Sequence, residues 1–115
     1  MQEQSDEDQA SVTALRFVNL LLDKKYPTAK AMLHSTLSDT TAKDLKGSFE
    51  ALFEGEDFPQ SANVFDVQAD WPDKLDEDLA YIYVTIDSEE AEAVSVVVAR
   101  ESGKLTIREI EWGRP

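Results

Sequence analysis

Leu79-Ala-Tyr-Ile-Tyr-Val-Thr-Ile-Asp87 alternates two sets of side chains without a break. Ala80, Ile82, Val84 and Ile86 fall on one face, and Leu79, Tyr81, Tyr83 and Thr85 on the other. A period of two is the signature of a strand, and the β-branched and aromatic content agrees. Downstream, Ser88 to Glu90 turn the chain, and Ala93 to Glu101 forms a second alternating run, with Val94, Val96 and Val98 opposite Ala93, Ser95, Val97 and Ala99. Ser102-Gly103 reads as a tight hairpin turn and Lys104 to Trp112 as a further strand. Upstream, beyond the loop from Pro72 to Asp78, Phe65, Val67, Ala69 and Trp71 alternate with Asp66, Gln68 and Asp70. This is read as a strand burying its apolar set. Links this short imply antiparallel pairing of consecutive strands.

Ahead of Phe58-Pro59 the period is 3.6. Ala14, Val18, Leu21 and Leu22 recur at helical spacing, with Leu15 and Phe17 widening the stripe and Lys24 and Lys25 closing the helix. Tyr26-Pro27 breaks that helix. A short second helix is expected over about Thr28 to Leu33, and a third from the capping residues Asp39 to Thr41 to about Phe53, burying Leu45, Phe49, Leu52 and Phe53. The expected fold class is α+β, with N-terminal helices packed on a curved antiparallel sheet of at least four strands. Residues 1–8 are read as a polar, acidic tail and 9–115 as one domain.

Nearly all of the net charge of −13 lies in the middle of the chain. Residues 54–92 carry thirteen acids against a single base, Lys74. Such a field repels phosphates and anionic lipid, which argues against nucleic acid and membrane partners and leaves room for a basic protein partner. No apolar run reaches the ~20 residues a bilayer requires, and the N-terminal stretch as written does not read as a secretory leader, having neither a basic flank nor an apolar core. A cytoplasmic protein is expected, with an extracytoplasmic one lacking its leader as the alternative. The absence of cysteine excludes disulfides and thiolate chemistry.

Helices followed by a curved antiparallel sheet resemble the NTF2-like (cystatin-like cone) superfamily. The stretch Ala14-Leu-Arg-Phe-Val-Asn-Leu-Leu-Leu-Asp-Lys-Lys-Tyr-Pro-Thr-Ala-Lys-Ala-Met-Leu33 is similar to the opening of such domains, and Leu45-Lys-Gly-Ser-Phe-Glu-Ala-Leu52 to their third helix. The similarity spans about residues 9–112 and rests on packing positions. It implies a cone-shaped domain, often dimeric through the outer sheet face, without implying one activity. The Asp–His or Tyr–Asp sets of catalytic members have no counterpart here.

Candidate chemistry is sparse. His34, the only histidine, would serve as a general base only with Asp39 or Asp44 beside it; otherwise it caps a short helix. Asp66 and Asp70 lie about 13 Å apart along a strand, too far for a carboxylate dyad. Asp73, Asp76, Glu77 and Asp78 lack the oxygen spacing and central glycine of a calcium loop, and Asp87, Glu89, Glu90 and Glu92 form an acidic turn. No phosphate loop, catalytic residue, metal site or cofactor site is indicated. A pocket between helices and sheet would be lined by Tyr26, His34 and Trp71 and would hold a small apolar ligand. The second sheet face, with Tyr81, Tyr83, Val97, Ala99, Ile110 and Trp112 and with Arg108 among them, has the composition of an interface. The expectation is a non-catalytic binding module, a homodimer through Tyr81, Tyr83, Ile110 and Trp112. Three alternatives stand beside it: the aromatics line the cone, the pocket belongs to an isomerase- or hydrolase-like enzyme, or the chain is an acidic inhibitor or immunity protein for a basic partner.

Overall fold

The computed structural model describes residues 5–88 and 91–113. Three helices, α1 (Asp6–Leu22), α2 (Tyr26–Lys30) and α3 (Ala42–Ala51), precede four strands, β1 (Ala62–Gln68), β2 (Asp78–Ile86), β3 (Ala93–Glu101) and β4 (Lys104–Trp112). The strands form one antiparallel meander in the order β1-β2-β3-β4, and the helices cover one of its faces. The α+β order is therefore as expected, on an open four-stranded sheet. Residues 1–4 of the expected tail, and Glu89 and Glu90 of the acidic turn, lie outside the described residues.

Helix α1 starts at Asp6, inside the stretch expected to be a tail and ahead of the hydrophobic pattern. Ser5 caps it by accepting from the Asp8 N–H at 3.1 Å, and Asp6, Glu7 and Asp8 complement the positive end of the helix dipole. Its stop also differs from expectation. Lys24 and Lys25 lie past the last turn, Lys24 at φ 60°. Their N–H groups cap the Leu21 and Leu20 carbonyls at 3.0 and 2.8 Å. The second helix begins at Tyr26, with Pro27 in its first turn, and ends at Lys30. Thr41 caps α3 in a reciprocal box with Asp44. The core between helices and sheet comprises Phe17, Val18 and Leu21 of α1, Leu45 and Phe49 of α3, and Ile82, Val84, Val94, Val96, Val98 and Ile107 of the sheet.

Three register shifts interrupt the described strands; one falls at Leu79 of β2, between the pairs Asp78–Ala99 and Ala80–Val98, and those in β1 and β4 decide which side chains share this core. In β1, Val64 pairs with Val84 and Asp66 with Tyr83, which leaves Phe65 unpaired. The inward set is therefore Ala62, Val64 and Val67, and Phe65 projects outward with 74% of its surface exposed. The expected burial of Phe65, Ala69 and Trp71 on one strand face is thereby corrected. In β4, Glu109 pairs with Val97 and Ile107 with Val98, so Arg108 is the extra residue. Beyond it the faces exchange: Ile110 pairs with Val96 and Trp112 with Val94, both of them core-facing. A one-residue insertion moves every following side chain to the other face. Ile110 and Trp112 thus leave the expected interface for the helix side, where the Trp112 ring meets Phe49 edge-on at 6.4 Å. The chain does carry the trace of both shifts, because its apolar positions step 105, 107, 110, 112 and 62, 64, 67 rather than strictly by two.

The outer face is held by polar contacts crossing β3. Arg108 Nε and Nη2 donate to Asp78 Oδ1 and Oδ2 at 2.6 and 2.7 Å, and Asp78 Oδ2 also accepts from the Leu75 N–H at 2.9 Å. Asp78 pairs with Ala99 and Arg108 bulges opposite Val97/Val98, so the fork spans from β2 to β4 across the middle strand. The Asp78 side chain is fully buried and that of Arg108 is 13% exposed. Asp78, expected in a solvated acidic loop, and Arg108, expected among the interface aromatics, are instead consumed by each other. Removing one partner strands the other's charge, so Asp78→Ala is expected to lose about 3 kcal/mol in urea unfolding, the low end for a buried pair because Arg108 keeps some solvent contact. By the same reasoning Trp112→Ala should lose roughly 2–4 kcal/mol, whereas Phe65→Ser should stay within about 0.5 kcal/mol. Equal effects at Trp112 and Phe65 would show that the two strand registers are wrong.

Candidate functional site

The expected pocket residues lie in three different neighbourhoods. Tyr26 ties α2 to α3, its hydroxyl donating to Glu50 Oε2 at 2.6 Å. Burial, reinforced by Glu50, pushes its ionisation far above the usual range. Trp71 lies past the end of β1 on the outer side of the sheet, its ring 6.0 Å from that of Tyr81. His34 is beside the edge of β4, where its N–H donates to the Ile107 carbonyl at 2.8 Å and the Ile107 N–H donates to Met32 at 2.8 Å.

His34 is a structural residue. It is 5% exposed and caps the 3-10 turn Ser35–Leu37, with Nδ1 accepting from the Thr36 N–H at 3.1 Å. That hydrogen bond assigns the proton of the neutral ring to Nε2. Nε2 is buried and lies 3.4 Å from Glu77 Oε1 and 3.5 Å from Glu101 Oε2, too long for a good hydrogen bond. The imidazole therefore offers no free lone pair to a substrate or a metal. Its neighbours are Glu77 and Glu101 rather than Asp39 or Asp44, and Asp44 is committed to the Thr41 cap. Among the described residues no group of three metal-ligating side chains is arranged to hold an ion, and no helix is long and apolar enough to cross a membrane.

A cleft of about 610 Å³ does open between helices and sheet, with Leu37, Leu45, Ile110 and Trp112 as its apolar wall and Lys43 and Asp44 at its rim. Neither Tyr26, His34 nor Trp71 lines it. It contains no acid–base pair, because the Asp44 carboxylate accepts from the Thr41 N–H at 2.9 Å.

The outer face gathers more of the unexplained side chains. The β1 bulge turns Phe65 and Asp66 outward together. Phe65 meets the Tyr83 ring edge-on at 5.7 Å, and Trp71 tilts against Tyr81. Asp66, Gln68, Trp71, Pro72, Tyr81 and Tyr83 enclose a cleft of about 350 Å³. Across the Tyr81 ring a second cleft of about 330 Å³ is bounded by Ser95, Val97, Glu109 and Glu111. The Tyr81 hydroxyl donates to Glu111 Oε2 at 2.7 Å. Tyr81 stands opposite Val97 and Glu111 opposite Ser95, so this bond also crosses β3. Burial, and the carboxylates of Glu111 and Glu109, raise the Tyr81 ionisation, with Ser95 beside it opposing. Val97, expected as a contact residue, is buried beneath this roof. The local cations are engaged: Arg108 by Asp78, and Lys74 by the Ala69 carbonyl at 2.8 Å with its ammonium 5.9 Å from the Trp71 ring centre. Of the nine expected site residues, the structure brings together Trp71, Tyr81 and Tyr83; Phe65, expected in the core rather than at a site, completes them.

No protein-family profile, curated protein or solved structure matches this chain.

The region around His34 makes a pH prediction. Glu101 accepts from the Ser35 hydroxyl and, at 3.1 Å, from the Ser35 N–H. These bonds, the hydroxyl first, hold its carboxyl below the ordinary value of 4.5. With the folded value below the unfolded one, ionised Glu101 stabilises the fold above about pH 4.5, and that contribution is lost as the pH falls through the folded value. Glu101→Gln is expected to be less stable at neutral pH and to show a shallower acid decline in urea midpoint. A decline matching that of the unmodified protein would remove Glu101 from the acid response.

Proposed function

We propose that this protein is a non-catalytic binding module that engages a positively charged polypeptide through the outer face of its sheet. The observation that carries the reading is the strip Phe65–Tyr83–Tyr81–Trp71, in which Phe65 is exposed and the other three rings are half-buried, flanked by the carboxylates of Asp66, Glu109 and Glu111. Aromatic side chains supply large contact area at little conformational cost, and they anchor interfaces. Carboxylates at the rim, within a chain of net charge −13, select and steer a basic partner. The same charges weigh against the homodimer. A two-fold dimer through this face would gather both copies of Asp66, Glu109 and Glu111 into one interface. The expected dimer has also lost Ile110 and Trp112 to the core.

The NTF2-like resemblance belongs with this proposal. Its support is the order of helices and strands and the helix–sheet cleft at Ile110 and Trp112. An inhibitor of a basic protein is one form the function would take. An enzyme using the helix–sheet cleft has no acid–base pair to support it.

A short peptide alternating lysine and valine is the probe. It is expected to bind with an affinity that falls as salt rises and to shift the emission of Trp71 in a Trp112→Phe background. Phe65→Ser combined with Tyr83→Ser should weaken it by about tenfold or more while circular dichroism stays unchanged. Binding that ignores both substitutions would overturn the aromatic face as the contact surface. Sedimentation at micromolar concentration is expected to give a monomer; a dimer dispersed by Phe65→Ser would replace the basic partner with self-association.

A further inference from the structure

We infer that the cleft between Tyr81, Ser95, Glu109 and Glu111 is a seat for a primary ammonium group, the side chain of a lysine on the partner; this rests on the outer face being the binding surface. Ser95 carries the argument. It lies at the centre of the sheet on the outward side, opposite Tyr83 of β2 and Glu111 of β4. It is 1% exposed, it lines the cleft, and its Oγ makes no hydrogen bond within 3.5 Å, the Tyr81 hydroxyl being the polar group beside it. A hydroxyl left unpaired in a position this buried is costly, and every other outward residue at the middle of β3, Ala93, Val97 and Ala99, is apolar.

The remaining walls supply the complementary charge. Glu111 accepts one hydrogen bond, from Tyr81, and keeps further acceptor capacity. Glu109 enters no hydrogen bond or ion pair within 4.0 Å among the described residues. Arg108 is turned onto Asp78, so it acts on Glu109 only through space and forms no ion pair with it. Three acceptors on three separate side chains, Ser95, Glu109 and Glu111, suit the three N–H donors of an ammonium. A guanidinium presents a planar fork and is better matched by one bidentate carboxylate, as Arg108 itself shows on Asp78. Entry requires the exposed Glu109 and Glu111 side chains to swing apart, a rotamer change within the reach of surface groups. The apolar stem of the lysine would then lie against Tyr81, whose other flank faces the aromatic cleft.

The probe is N-acetyl-lysine methylamide, with N-acetyl-norleucine methylamide as the uncharged control, titrated against the amide resonances of the whole chain. The lysine amide is expected to give saturable shifts confined to Ser95, Glu109, Glu111 and Tyr81, and the norleucine amide none. Ser95→Val and Glu109→Gln should each weaken the lysine amide about tenfold, the effect of losing one hydrogen bond to a charged group. Ser95→Val should melt no lower than the unmodified protein, since it relieves the unpaired hydroxyl; a folded variant therefore remains available for the test. Shifts spread evenly over the acidic 54–92 region, or unchanged by Ser95→Val, would overturn the seat and leave only diffuse counter-charge attraction. The two readings separate cleanly. Lysine–valine peptide binding that depends on Phe65 and Tyr83 but ignores Ser95→Val refutes the seat and keeps the face. Lysine amide binding at Ser95, with peptide binding indifferent to Phe65 and Tyr83, keeps the seat and refutes the aromatic face.

Discussion

The fork of Arg108 onto Asp78 is the contact on which the arrangement of both sheet faces depends. A guanidinium and a carboxylate held at 2.6 and 2.7 Å, with the carboxylate withdrawn from water, tolerate little displacement. They join the start of β2 to the middle of β4 over the intervening strand, and Arg108 reaches Asp78 from the extra position of a bulge. The bulge in turn sets the side of every later residue in β4. Ile110 and Trp112 go to the helices, and Glu109 and Glu111 go to solvent. One ion pair thereby accompanies both the completion of the core near Phe49 and the creation of an acidic outer cleft.

The outer face that results belongs to neither of the usual kinds. A sheet face exposed to water is mostly polar, and one that meets a second layer is apolar throughout. Here the middle strand is apolar and buried on both sides, from Ala93 to Ala99 with Ser95 as the exception, although among the described residues no second layer covers its outer side. Long side chains from the flanking strands form the cover: Arg108 with Asp78 at one end and Tyr81 with Glu111 nearer the other. Such a roof shields the middle strand while leaving aromatic rings and carboxylates in alternation at the surface. It also places Tyr81 between an aromatic cleft and an acidic one.

The charge of the chain is unevenly used across the molecule. Of the acids between 54 and 92, Asp78 is structural, Asp66 borders the aromatic cleft, and Glu77 approaches His34 at the β4 edge. His34 shows how little a residue type settles by itself. A lone histidine near carboxylates invites a catalytic reading, but the N–H of Thr36 occupies Nδ1 and burial closes off Nε2. Its work is to start a 3-10 turn and to help dock the chain after α2 against the edge of β4.

The sequence by itself determined the α+β order, the meander, the bounds of β3 and β4, the Thr41 cap region and the helical stripes of α1 and α3. These follow from contacts between near neighbours: a period of 3.6 or 2, a cap within one turn, a two-residue hairpin at Ser102-Gly103 whose φ angles of 51° and 80° suit that turn. Even the start of α1 at Asp6 had a local cause, the Ser5 cap and three acids, outside the reach of a hydrophobic count. Tertiary structure alone decided which residues face outward after each bulge. Pairing two residues against one is settled by the partner strand, and the broken spacing at 107–110 and 64–67 acquires meaning only beside Val96–Val98 and Tyr83–Val84. It alone joined Asp78 to Arg108 and Tyr81 to Glu111, each pair thirty positions apart in the chain. Such contacts leave no periodic trace because sequence distance and spatial distance are unrelated across a sheet. For that reason the aromatic character of the outer face could be read from Tyr81 and Tyr83, whereas Phe65 and Trp71 joined it only when the chain was folded.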